Sequence, residues 1–379
     1  MKERNDAARD LWAQIFERAA ADPYATMHQP DEVSEAAQRE RTIQALRDAG
    51  WSEELIARRH EENFTDNKME NVNSPGVGPG LEFRLRHLSD RIRKVISETG
   101  ETSHEKVEVA IEPTVGVSAA LTNVIMTEEG IVSVSSFLFR WCGLVARAYT
   151  RTLAAGMEHW AFQESDRALD REILMKDPEL MLYWFRIFVS YSGTGTHALV
   201  PYRPSSPEEF RLFEQVAWAM EYFTIAHEFG HHVLGHRHIG DDPRAQEFEA
   251  DAFALKVCEG LEFEPFPFLS NPYCSTGAGA SLMLLALQIL RSFAESDGCK
   301  DVDPDTHPSA SERIAKISAR HVMQPKRLEM DQEFNNTVAR IMSAVSAVMD
   351  EALRAGGDRL VKEVRQQLRE AEADLRNPD

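Results

Sequence analysis

His227-Glu228-Phe229-Gly230-His231 is an HExxH pentapeptide near the end of an apolar stretch running from Phe213 to Leu234. Phe213, Val216, Ala217, Met220, Phe223 and Thr224 recur at steps of three and four, which predicts a buried helix. Residues four apart on a helix lie one above the other, so both imidazoles can point at one metal ion. Glu228 sits about a quarter-turn away, within reach of a water at that metal. The pattern is that of a zinc hydrolase site, and the rest of the chain is read outward from it.

A catalytic zinc ion with three protein ligands needs one more donor. Glu247 follows His231 by sixteen residues, and Gly235, Gly240 and Pro243 punctuate the gap. Two antiparallel helices joined by a turn would bring Glu247 back over the histidines. Asp242 before Pro243 suits the N-cap and first turn of the second helix. Asp251, one turn beyond Glu247, is suited to hold the second nitrogen of a ligand histidine. Glu249 is the competing acid, but it lies about 160° round the helix from that face. His232, His236 and His238 read as ordinary residues at a helix end, where a cation interacts well with the dipole. The expected site is therefore one catalytic Zn2+ on His227, His231 and Glu247, with Glu228 as general base.

The segments HEFGH (227–231) and EFEADAFAL (247–255) resemble the gluzincin metallopeptidases, in particular the CAAX prenyl protease / HtpX family and its soluble relatives of the BepA and OMA type. A third stretch carries the same resemblance: Asp305-Thr306-His307-Pro308-Ser309, then Glu312-Arg313-Ile314. The resemblance implies a zincin-like core and peptidase activity. It also implies that His307 lies near the zinc as a removable fourth ligand and that Arg313 is a further site residue. It spans roughly residues 105–320 and departs from the family in two respects. The long apolar spans of its membrane-embedded members are missing, and the gap between His231 and Glu247 is shorter, closer to thermolysin-like spacing.

The chain has 379 residues, 43% of them hydrophobic, enough for one large or two ordinary cores. A net charge of −20 argues against nucleic acid and anionic membrane surfaces as partners. Cys142, Cys258, Cys274 and Cys299 show no CxxC spacing, as expected of thiols in a reducing cytoplasm. The opening MKERNDAARD has no apolar core and no cleavage site, so an export signal is not expected and a cytoplasmic location is. The longest apolar run, Gly277 to Leu290, falls short of the roughly 20 residues a membrane span needs and reads as a core helix.

The fold class expected is mainly α with a small β-sheet (α+β) around a zincin-like core. Residues 1–100 form a helical N-terminal region, with thin apolar stripes at Leu11, Ile15 and Ala19 and at Ile43, Leu46 and Ile56, and a loop at 63–80. Its GxG lacks both a preceding strand and a following GKS/T, so it is not a phosphate loop. Residues 101–325 form the metallopeptidase domain, with strands at Lys106–Pro113 and Gly130–Val134 and helices at 137–153, 277–293 and 309–320. In such enzymes a sheet edge can pair with an extended substrate. An aromatic-rich insert at about 157–211 reads first as core packing and second as a substrate-facing wall. Within it Ser192–His197 has the composition of a flexible lid, and Tyr202 or Tyr222 could donate to an oxyanion. Residues 326–379 form C-terminal helices, with an apolar face from Val338 to Met349 and an amphipathic end at 354–376 that packs or offers a partner or oligomer surface.

Three functional readings follow. The first is a zinc endopeptidase acting on protein or peptide substrates. The second is a triggered stress or phage-defence protease of the Lit type, its site covered by the N-terminal helices or the His307 loop. The third is a binding protein with a structural zinc, against which the intact Glu228 argues.

Overall fold

A computed structural model describes residues 40, 43–57, 79–112, 114–124, 127–162, 166–197, 199–201, 203–236, 242–261, 271–295, 307–321 and 328–357, with 359, 362 and 366 singly. In a small satellite core Leu46, Trp51 and Ile56 pack beside Phe210, and the Trp51 indole donates to the Ser205 carbonyl at 2.9 Å. Helix α1 (Pro79–Glu98) leads through a 3-10 turn at Ser103–Lys106 into β1 (Val107–Glu112), β2 (Ala119–Asn123) and β3 (Gly130–Ser135). After the sheet come α2 (Ser136–Ala155), α3 (Met157–Phe162), α4 (Arg167–Met175) and α5 (Pro178–Thr194). Then come α6 (Pro207–Val233), α7 (Pro243–Leu261), α8 (Pro272–Ser275), α9 (Ala278–Glu295), α10 (Ala310–His321) and α11 (Leu328–Ala352). The class is mainly α with one small sheet, as the periodicities indicate.

The sheet has the order β1-β3-β2, with β3 parallel to β1 and antiparallel to β2. The central strand GIVSVS is buried at every position, as a strand covered on both faces must be. Strand β2 is a correction to the two-strand reading. AALTN has little β-branched character, and it holds its conformation because β3 supplies the register, Leu121 opposite Val132. It is one of the sheet's two edge strands and borders α6.

Helix α6 begins before the apolar stretch, because Ser206 and Glu209 form a reciprocal capping box with Pro207 in the first turn. From Val216 to Phe229 buried side chains occur on every side of it, so it is an interior helix rather than an amphipathic one. It is enclosed by α1, α2, α7, α9 and the sheet. Among the described residues α9 is the helix long and apolar enough to cross a membrane by composition, and most of it is buried against α5, α6 and α11. The face from Val338 to Met349 on α11 is buried as well. Arg340 on that helix reaches across to α4 and α3, donating to Asp170 (Nε 3.0 Å) and to the His159 carbonyl (3.0 Å).

The aromatic insert belongs to the main core. Trp160, Trp184, Phe188 and Tyr191 are all buried in it, and Phe188 stacks on Trp184. The lid expectation at Ser192–His197 is overturned. Thr196 is buried, its carbonyl accepts from the Ser190 hydroxyl at 2.7 Å, and the Gly195 carbonyl accepts from Gly116 N–H at 2.7 Å. Those bonds tie the segment to the loop before β2, as the cap of α5. The stripe at Leu11, Ile15 and Ala19, the loop at 63–78, Tyr202, His238, Cys299 and nearly all of 358–379 lie outside the described residues, as does the Phe162 side chain.

Candidate metal centre

Helix α6 places His227 and His231 one turn apart, with their Nε2 atoms 3.1 Å from each other. Helix α7 returns antiparallel and brings the Glu247 carboxylate to both, 3.6 Å from His227 Nε2 and 3.4 Å from His231 Nε2. The two helices can approach this closely because of Gly230. A Cβ there would stand 3.2 Å from Ala250 Cα and 3.3 Å from its carbonyl oxygen. His227, His231 and Glu247 form a cluster that can hold a metal ion.

Each imidazole is oriented from behind. His227 Nδ1–H donates to Asp251 Oδ1 at 2.9 Å. Asp251 is itself gripped by Arg313 from α10, Nε to Oδ2 at 2.7 Å and a terminal nitrogen to Oδ1 at 2.5 Å, while another terminal nitrogen lies 3.5 Å from Glu247. His231 Nδ1 lies 2.9 Å from His236 Nδ1, and His236 Nε2 lies 3.0 Å from Glu249 Oε2. The chain reaches this position because Gly235 takes a left-handed φ of 71° just past the helix end, folding His236 back on His231. His236 is thus no ordinary helix-end residue, and Glu249 serves the histidines without facing the cluster. His236 lies beyond Gly235, where the periodicity of α6 stops giving directions, and Glu249 acts through it.

The electrostatics favour a cation between the carboxylates. Burial works against charge on His227, but Asp251 and Glu247 outweigh it and raise the imidazole to about 9. Burial alone would raise the Glu247 carboxyl, yet His227, His231 and the charge of Arg313 hold it well below the usual range. Glu228 differs: burial pushes it up to about 7, against the pull of His227 and of the backbone N–H of Leu121 on β2. Burial also lowers His236, which keeps it neutral and able to accept.

His307, just before α10, is about half-exposed, with Nε2 3.9 Å from Glu247 Oε1. An ion pair between Arg244 and Glu312 (2.7 Å) holds α10 on α7, and Glu312 accepts from Ser309 N–H at 2.8 Å. The structure therefore brings His227, Glu228, His231, Glu247, Asp251, His307 and Arg313 into one region. Tyr222 is not among them: its ring packs under the Arg91 guanidinium of α1.

A family model described as Peptidase U49 matches residues 193–329, about a third of the chain, and supports a peptidase. The matched segment contains those seven residues but not the sheet. No curated protein and no solved structure matches the chain.

Proposed function

We propose that this protein is a zinc-dependent endopeptidase of the gluzincin type, with His227, His231 and Glu247 as the residues that hold the ion. The carrying observation is the donor geometry. At zinc–ligand bonds of about 2.0–2.1 Å and tetrahedral angles, donor atoms stand roughly 3.3 Å apart. The three contacts here are 3.1, 3.4 and 3.6 Å. With each Nδ1 engaged elsewhere, both Nε2 lone pairs face the same point. When bound, zinc supplies a Lewis acid that activates water and polarises the scissile carbonyl.

Glu228 takes the proton from the attacking water and returns it to the leaving amine. A carboxyl raised to about 7 suits both halves of that task. Ser118 and Val124 bond toward β3, so by alternation Ala119, Leu121 and Asn123 turn their backbone groups outward. That edge, where the Leu121 N–H meets Glu228, supports binding an extended peptide by main-chain hydrogen bonds. Arg313 is committed to Asp251 and Glu247, which supports a role in holding ligand geometry. To His307 we assign donation to the developing oxyanion.

The test is metal content and cleavage of a peptide library, beside Glu228→Gln. One zinc per chain with turnover lost in Glu228→Gln, by about 10²-fold or more, is the expected result. Undiminished cleavage by that variant refutes the proposal.

The match to Peptidase U49 favours a second reading, a Lit-type protease held inactive until triggered. The His307 segment would then cover the site, held there by α10 through Arg313 and the Arg244–Glu312 pair. His307→Ala separates the two, since it slows an oxyanion donor's enzyme and speeds a restrained one.

A further inference from the structure

We propose that His236 and Glu249 are positioning residues of the metal centre, a two-step relay that sets the tautomer and aim of His231. The inference rests on the zinc reading above and adds to it two residues outside the ligand set. His227 is aimed by a buried carboxylate directly, whereas among the described residues no carboxylate bonds to His231 Nδ1. It has a second imidazole, His236, which is buried and lies 2.9 Å away, nitrogen to nitrogen. Two facing Nδ1 atoms hold one proton between them. For His231 Nε2 to carry a lone pair toward Glu247 and His227, that proton must sit on His231 Nδ1, with His236 Nδ1 accepting. His236 must then carry its own proton on Nε2, where Glu249 Oε2 stands 3.0 Å away to accept it. With both imidazoles neutral, only that order satisfies every donor and acceptor in the chain from Glu249 to His231. Helix α7 therefore serves the centre twice, giving Glu247 to the ion and Glu249 to the relay from opposite faces.

The test is zinc affinity of the full-length chain by competition with a chromophoric chelator, for the parent, His236→Ala, His236→Asn and Glu249→Ala. The asparagine amide oxygen stands where Nδ1 did, so it can still accept from His231. Outer partners of ligand histidines are worth roughly 10–100-fold in affinity. His236→Ala should lose that much, His236→Asn should recover most of it, and Glu249→Ala should fall between them. Thermal unfolding of the zinc-stripped proteins accompanies the titration. If His236→Ala also unfolds early, the gap in affinity between it and His236→Asn still reports positioning. Equal affinity of His236→Ala and the parent, or equal losses in the alanine and asparagine variants, overturns this inference alone. A parent that binds no zinc overturns the metal reading as well.

Discussion

Replacing Gly230 by alanine sets two effects of known size against each other. In an unconstrained helix interior the change stabilises by about 1 kcal/mol, since glycine loses more backbone entropy on folding. Here the new methyl would stand 3.1 Å from Phe253 Cδ1, 3.2 Å from Ala250 Cα and 3.3 Å from the Ala250 oxygen. All three lie inside the roughly 3.5–4.0 Å of favourable contact. The half-buried Phe253 ring can turn aside, but Ala250 is buried backbone of α7, so the helix itself must retreat. Overpacking of this kind costs about 1–3 kcal/mol. Stability without zinc should therefore lie between unchanged and about 2 kcal/mol lower. The metal centre is less forgiving, because Ala250 adjoins Asp251 and lies within one turn of Glu247. A retreat of a few tenths of an ångström exceeds the roughly 0.2 Å that ligand distances tolerate. Zinc affinity should fall by tenfold or more, about 1.4 kcal/mol. Unfolding in excess chelator gives the first quantity and chelator competition gives the second. A variant stabilised by about 1 kcal/mol with parental zinc affinity would refute the argument that Gly230 sets the helix spacing.

Arg313→Met should destabilise the zinc-stripped protein by about 3–5 kcal/mol, because it takes the guanidinium from the buried carboxylates of Asp251 and Glu247. Added zinc should restore part of that loss, and equal losses with and without zinc would count against it. Arg340→Met should cost a similar amount, about 3–5 kcal/mol, by uncoupling α11 from Asp170 and His159; a denaturant midpoint that does not move would contradict this. Glu221, raised by burial to about 7 despite Arg84, stays protonated in the folded chain where an unfolded glutamate near 4.5 has ionised. The folded state then binds the extra proton between those values, so stability falls as pH rises from about 4.5 to 7, by a few kcal/mol at most. Unfolding measured across that window should be flatter in Glu221→Gln than in the parent, and identical slopes would remove Glu221 as the cause.

The helix pair was legible because both of its signals are local. The apolar steps before His227 mark α6, and Gly235 and Asp242-Pro243 mark its end and the start of α7. Strand β2 was not legible, since AALTN acquires its conformation from β3 rather than from its own residues. The lid expectation failed for a related reason: SGTGTH has a loop's composition, but the bonds to Gly116 and Ser190 that hold it come from elsewhere.

What the sequence by itself determined is the donor inventory and its spacing: HExxH, the Glu247 and Asp251 pair, and the His307 and Arg313 stretch. Residue type sets which atoms can bind, and helical period sets which of them share a face. Only the tertiary structure decided that His236 and Glu249 stand behind His231, that Arg313 grips Asp251, and that Leu121 meets Glu228. Each of those contacts joins residues across a helix end or between separate elements. There no backbone period carries direction, and packing alone sets the distance.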